Sequence, residues 1–208
     1  MFRDRLEAAD RLAVALQPYK GQRPLVLAIP RGAVAMAKRI AQALEGDFDV
    51  VLVRKLRAPW QPELAIGSVD EDGWTYRAPF ADSSGADQAY IEEEKQRQLA
   101  TIRQRRAQYT PLRAHPDAAG RVVIVVDDGL ATGATMIAAL HGLRQRHPKR
   151  LVCAVPVAPA DTVAKVRPLA DELVCLEVPA GFQAVGQFYR HFDQVEDEEV
   201  IALLKDGS

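Results

Sequence analysis

Val122-Val-Ile-Val-Val126 is an unbroken run of five β-branched residues with no alternation of polar and apolar positions. β-Branched side chains suit a pleated backbone, and a strand with no polar face must be covered on both sides, as in a parallel sheet sandwiched by helices. The run ends in Asp127 and Asp128 and continues as Gly129-Leu-Ala-Thr-Gly-Ala-Thr135. The pair therefore falls at the carboxyl end of a central strand, where open α/β sheets bind ligands. Met136, Ile137, Leu140 and Leu143 recur at helical spacing behind it, so the small-residue loop is also a helix amino terminus.

The chemistry of this unit follows from its residue types. Ala131, Thr132, Gly133, Ala134 and Thr135 let backbone N–H groups approach an anion and add two hydroxyls, which suits a monophosphate. The two carboxylates accept hydrogen bonds from neighbouring hydroxyls, so a ribose 5-phosphate satisfies both halves. No glycine-rich loop ends in Gly-Lys-Ser/Thr, and no G-x-G-x-x-G opens a helix, so the other common phosphate motifs do not compete.

Asp127-Asp-Gly-Leu-Ala-Thr-Gly-Ala-Thr135 resembles the phosphoribosyl pyrophosphate (PRPP) signature of the type I phosphoribosyltransferases in its acidic pair, its Thr-Gly and its closing Thr. The resemblance is specific at 123–135 and covers a core of about 22–192. It implies an open, mainly parallel α/β sheet flanked by helices, with a small hood or cap, in a single domain over 1–208.

The rest of the chain reads compatibly. An opening helix marked by Phe2, Leu6, Ala9, Ala13 and Leu16 precedes a strand at 25–29, a helix at 33–44 and a second buried strand at 49–53. Pro59, Pro62 and Gly67 then break the pattern; 62–69 is apolar enough for a packed strand, and Trp74-Thr-Tyr76 suggests a short strand or hairpin. A long, largely solvated helix over 87–109 carries Arg103, Arg105 and Arg106, read as a wet face. Strands at 151–155 and 173–178 flank a helix at 161–170, and a final helix with a negatively charged first turn begins at Asp197.

Two more strand ends carry cations: Arg31-Gly32 after the first strand and Arg54-Lys55 after the second. The resemblance implies that Arg31 and Gly32, and the Arg54-Lys55 pair, bind pyrophosphate. It further implies transfer of ribose 5-phosphate from PRPP to a nitrogen acceptor, with Asp127, Asp128 and Arg31 as catalytic residues and a mobile loop within 56–76. Magnesium arrives with PRPP near Asp127 and Asp128, with no dedicated metal cluster, because Mg²⁺ prefers oxygen ligands and commonly binds through substrate phosphates. Enzymes using hypoxanthine and guanine carry an aspartate where this chain has Ala131, which argues against 6-oxopurines; the alanine is similar to the adenine-specific subgroup. A PRPP-binding sensor or regulatory protein without transfer is the alternative.

Composition excludes broad partner classes. With 27 basic and 28 acidic residues the net charge is −1, so no global field favours nucleic acid or an anionic membrane. No apolar stretch is long enough to span a bilayer, and a cytoplasmic location is expected. Cys153 and Cys175 lie in apolar runs and are expected to be buried and inert. None of the four histidines has metal-ligand spacing, and His141 is expected at the surface or in packing. The aromatics of 182–190 stand where they could approach a planar acceptor or pack in the core. A homodimer is expected from the family.

Overall fold

The structure, a computed structural model, describes residues 1–111 and 115–206. Its centre is a parallel five-stranded sheet in the order β2-β1-β6-β7-β8, built from β1 (Leu25–Ala28), β2 (Asp47–Val50), β6 (Val122–Val126), β7 (Arg150–Val157) and β8 (Glu172–Glu177). Every residue of β1 and β6 is buried, as the all-apolar run requires. Alternation sorts their side chains between two layers. Leu25, Leu27, Val123, Val125, Leu151 and Cys153 join one core with α4 (Ala134–Arg144) and α5 (Ala160–Val166). Val26, Ala28, Ile124, Val126, Val152 and Ala154 join the other with α1 (Arg5–Ala15) and α2 (Val34–Leu44).

The order makes β1 and β6 central neighbours. The chain leaves β1 towards β2 on one side and leaves β6 towards β7 on the other, which opens a crevice at their carboxyl ends. The segments after both strands, with Arg31 and with Asp127-Asp128, therefore meet there.

The second strand differs from its expected span. Parallel pairing with β1 ends at Ala28↔Val50, so β2 covers Asp47–Val50 and Val53 opens a separate antiparallel sheet. That sheet contains β3 (Val53–Arg57), β4 (Ala65–Asp70) and β5 (Thr75–Arg77), in the order β3-β4-β5. Strands were expected near 62–69 and 74–76, and β4 and β5 lie there. The small sheet packs against α4 and against α3 (Gln88–Tyr109). Tyr76 stacks on His141 of α4 with ring centroids 4.0 Å apart, and Trp74 lies at 6.0 Å, so His141 is a packing residue.

The long helix is less solvated than its composition suggests. Glu94 and Gln98 are buried. Arg106, read as part of a wet face, is held by Asp49, Glu71, Thr110 Oγ1 and the Val50 carbonyl. This charged junction ties α3 to β2 and to the end of β4; His115 Nε2 lies 2.9 Å from Glu71. A 3.6-residue periodicity built on apolar residues overlooks a face buried through polar contacts.

The two ends of the chain close over the carboxyl edge. Phe2 bridges to Tyr189, with Phe2 N–H donating to Phe188 O at 2.8 Å and Arg190 N–H donating to Phe2 O at 2.9 Å. α6 (Asp197–Lys205) packs on α2 and α3. No described helix is long and apolar enough to cross a membrane. Cys153 is fully buried and Cys175 only half-buried; burial raises both thiols.

Candidate active site

Asp127 and Asp128 leave β6 in tight succession, Asp128 N–H donating to Asp127 Oδ1 at 2.9 Å. Burial first, and then the adjacent Asp128 charge, push the Asp127 carboxyl well above the usual carboxylate range. Asp128 is engaged by a residue from the other end of the chain: Arg5, at the start of α1, donates from Nε to Asp128 Oδ2 at 2.9 Å. Both side chains are 16% exposed. Arg5 is fixed by its Nη1 donation to the Asp193 carbonyl at 2.7 Å and by the Phe192 ring, whose centroid is 4.1 Å from the guanidinium carbon. The Tyr189 hydroxyl donates to Asp128 O at 2.7 Å, and burial, followed by the Asp128 charge, raises its pKa.

Gly32 lies against this pair. A Cβ built there would stand 2.4 Å from Asp128 Oδ2 and 2.8 Å from Arg5 Nε. Only a residue without a side chain permits the loop after β1 to meet the acidic pair so closely.

The loop ahead of α4 is anchored from α5, whose Thr162 hydroxyl donates to Ala131 O at 2.6 Å. Gly133 caps α4 in the left-handed region at φ 77°, and Ile137 N–H donates to its carbonyl. Ala134 N–H donates to Thr132 Oγ1 at 3.4 Å. Among the described residues no protein acceptor meets the N–H groups of Ala131, Thr132, Gly133 and Thr135. These donors and the α4 dipole form an anion cradle, with Ala131 and Thr132 exposed. Gly133 itself faces away from it: a Cβ there would meet Thr162 Cγ2 at 2.9 Å and Val166 Cγ2 at 3.3 Å. A larger residue at 133 would therefore crowd α5 and not the cradle.

Beside the loop is a cavity of about 530 Å³ whose lining includes Arg31, Arg54, Lys55, Arg57, Glu63 and Arg105. Thr135 reaches it, whereas the acidic pair lies outside, beyond Gly32 and under Arg5. Arg54 and Lys55 do not stand at the carboxyl end of the second parallel strand; they lie within β3, the first strand of the small sheet. Arg54 Nε donates to Gln98 Oε1 at 3.0 Å. Burial, followed by the charges of Arg105 and Arg57, lowers its pKa below the usual guanidinium range. Arg31 Nη1 lies 3.8 Å from Asp197 Oδ1 of α6, which also accepts from the Tyr109 hydroxyl at 2.7 Å.

Sequence reasoning did not single out Arg5, Arg57 or Asp197 for the site, and placed Arg105 in solvent; Tyr189, read among the aromatics near a planar acceptor or in the core, instead donates to Asp128 O. Arg57 shares the Lys55 face of β3 two residues on, a signal available once β3 is known to be a strand. Arg5 carried no signal, since its place depends on pairing between the chain ends.

Residues 3–190 match the family model described as the phosphoribosyl transferase domain. The chain belongs to this family. Two Mycobacterium tuberculosis relatives, "Putative phosphoribosyl transferase Rv0571c" of strain H37Rv and its namesake MT0597 of strain CDC 1551, are each 40% identical to it over 205 residues. The match takes in 98% of this chain and 46% of each relative, so the chain spans about half the length of those curated relatives. The crystal structure of TT1426 from Thermus thermophilus superposes with a TM-score of 0.91 at 45% identity, covering 100% of this chain and 99% of that one. The parallel sheet expected of a phosphoribosyl transferase domain is present, with a small antiparallel sheet beside it.

Proposed function

We propose that this phosphoribosyl transferase domain moves ribose 5-phosphate from PRPP to a nitrogen acceptor and releases pyrophosphate. The observation that carries the reading is the meeting, at one sheet edge, of an acidic pair, a donor loop on a helix amino terminus and a cation-lined cavity. These are the three chemistries a ribose phosphorylated at both ends requires. In this proposal Ala131 to Thr135 hold the 5-phosphate, and Asp127 and Asp128 accept from the ribose hydroxyls. Arg31, Gly32, Arg54 and Lys55 hold the pyrophosphate, with Arg31 stabilising it as it departs. The whole of 1–208 acts as one domain with a core at 22–192, to which Arg5 and Asp197 reach from outside. A homodimer in the cytoplasm belongs to the same proposal.

Catalysis in such a site is mainly electrostatic. Departure of pyrophosphate leaves positive charge on the sugar, which the Asp128 carboxylate faces while the cavity cations stabilise the leaving group. Magnesium fits the residues present: the Asp128 carboxylate, with Asp127 beside it, would hold a hard, oxygen-preferring cation that keeps several waters. Bound with PRPP, it would supply charge neutralisation at the pyrophosphate. Arg5 favours a second reading, a PRPP-binding sensor, because one oxygen of Asp128 is already committed to it.

A pyrophosphate-release screen with PRPP and Mg²⁺ across purine, pyrimidine and other nitrogen acceptors tests the proposal. Acceptor-dependent release is expected. Tight PRPP binding with no release from any acceptor would favour the sensor, and absence of PRPP binding would overturn both.

A further inference from the structure

The cavity holds more positive charge than a pyrophosphate needs. Five cationic side chains line it against the single carboxylate of Glu63. Among the described residues only Arg31 of the five forms an ion pair, with Asp197. Phosphate monoesters carry roughly −1.5 to −2 at neutral pH, so a pyrophosphate carries about −3, and about one negative charge remains once a divalent cation accompanies it. Arg31, Arg54 and Lys55 already match it. Arg57 and Arg105 remain, from β3 and α3, near enough to Arg54 for their charges to act on it.

Space leads to the same place. At about 530 Å³ the cavity lies within the ~300–1,000 Å³ range of sites that enclose a drug-sized ligand. Val51, Leu52 and Ile102 give it an apolar wall beside the cations. An apolar wall with an unneutralised arginine pair is what a flat ring bearing an acidic group would fit, because guanidinium groups bind carboxylates through paired N–H donors. We infer that Arg57 and Arg105 form a second anion subsite, and that the acceptor is a nitrogen nucleophile on a planar ring carrying a carboxylate, which they hold. This inference rests on the phosphoribosyl-transfer reading and narrows its acceptor.

The test uses the protein loaded with Mg²⁺ and pyrophosphate and titrated calorimetrically with three ring acids, orotate, quinolinate and anthranilate, and two neutral bases, uracil and adenine. At least one acid should bind the loaded protein, with the neutral bases weaker by about ten-fold or more. Arg105→Gln and Arg57→Gln should each weaken that acid about ten-fold, the effect of one lost charged hydrogen bond, and leave pyrophosphate affinity within about three-fold. Arg103→Gln, on the exposed side of the same helix, should change neither. Arg57 is exposed, so its variant remains informative if Arg105→Gln folds poorly. Equal binding of acids and neutral bases, or no binding by any of the five, would overturn the inference. So would equal loss of pyrophosphate and acid affinity in both variants, which would assign the two arginines to the pyrophosphate. Failure of pyrophosphate to bind the unaltered protein would instead defeat the transfer reading, and this inference with it.

Discussion

Gly32→Ala isolates the close approach between the loop after β1 and the acidic pair. Gly32 does not have a positive φ, so alanine is compatible with the backbone and the effect is one of contact alone. The new Cβ would stand 2.4 Å from Asp128 Oδ2, against 3.4 Å for ordinary van der Waals contact, so the carboxylate must retreat by about 1 Å. Arg5 Nε, at 2.8 Å from the same Cβ, must move as well. Breaking this half-buried charged hydrogen bond should cost about 1.5–3 kcal/mol. In a chain of this size each kcal/mol lowers Tm by about 2–4 °C. The larger effect should fall on function, since a misplacement of about 1 Å in a positioned group can cost roughly 100-fold in rate. Thermal melts and pyrophosphate-release kinetics measure the two losses on one preparation. Adding Arg5→Ala should recover part of the stability and little of the rate, because the displaced Asp128 remains. A Gly32→Ala protein with unaltered PRPP affinity and turnover would refute the assignment of Asp128 to the ribose.

Three further outcomes are expected. Arg106→Met should destabilise the fold by about 3–5 kcal/mol in urea denaturation, since it strands the buried Asp49 and the half-buried Glu71 carboxylates; a cost below about 1 kcal/mol would mean that His115 or solvent compensates them. Gly133→Val should lower stability by about 1–3 kcal/mol through overpacking against Thr162 and Val166, with strain at positive φ in addition; unaltered stability with abolished PRPP binding would return the residue to the cradle. Asp127→Asn should alter the pH dependence of stability. Burial raises the Asp127 pKa above its unfolded value of about 3.9, so the stability its proton provides is fully present below about pH 4 and is lost as pH rises through the folded pKa. The asparagine variant lacks that loss and should gain Tm relative to the parent as pH rises from 4 to 8; a constant difference across that range would contradict the account.

The central sheet was legible because burial on two faces leaves a direct trace in composition: 122–126, 25–28 and 151–155 have almost no polar residue to hide. The acidic pair and the loop behind it were legible for the same reason, as strand end and helix start adjoin within one short segment. The small sheet was harder to read. Val53-Arg-Lys-Leu-Arg57 has a single buried side chain, Leu56, and its register depends on β4, which lies beyond a turn holding two prolines. The buried role of Arg106 was not legible, because an arginine satisfied by Asp49 and Glu71 has the same composition signal as one in water. Arg5 is the extreme case, as 123 residues separate it from Asp128 and tertiary packing, with the pairing of Phe2 and Tyr189 part of it, brings them together.

The most direct test of the central claim is a calorimetric titration of PRPP, in Mg²⁺, into the unaltered protein and into Asp128→Asn. The account predicts saturable binding by the first, and about ten-fold or greater weakening in the second, with its melting behaviour otherwise retained. Equal affinity in the two proteins, or no heat of binding in either, would contradict it.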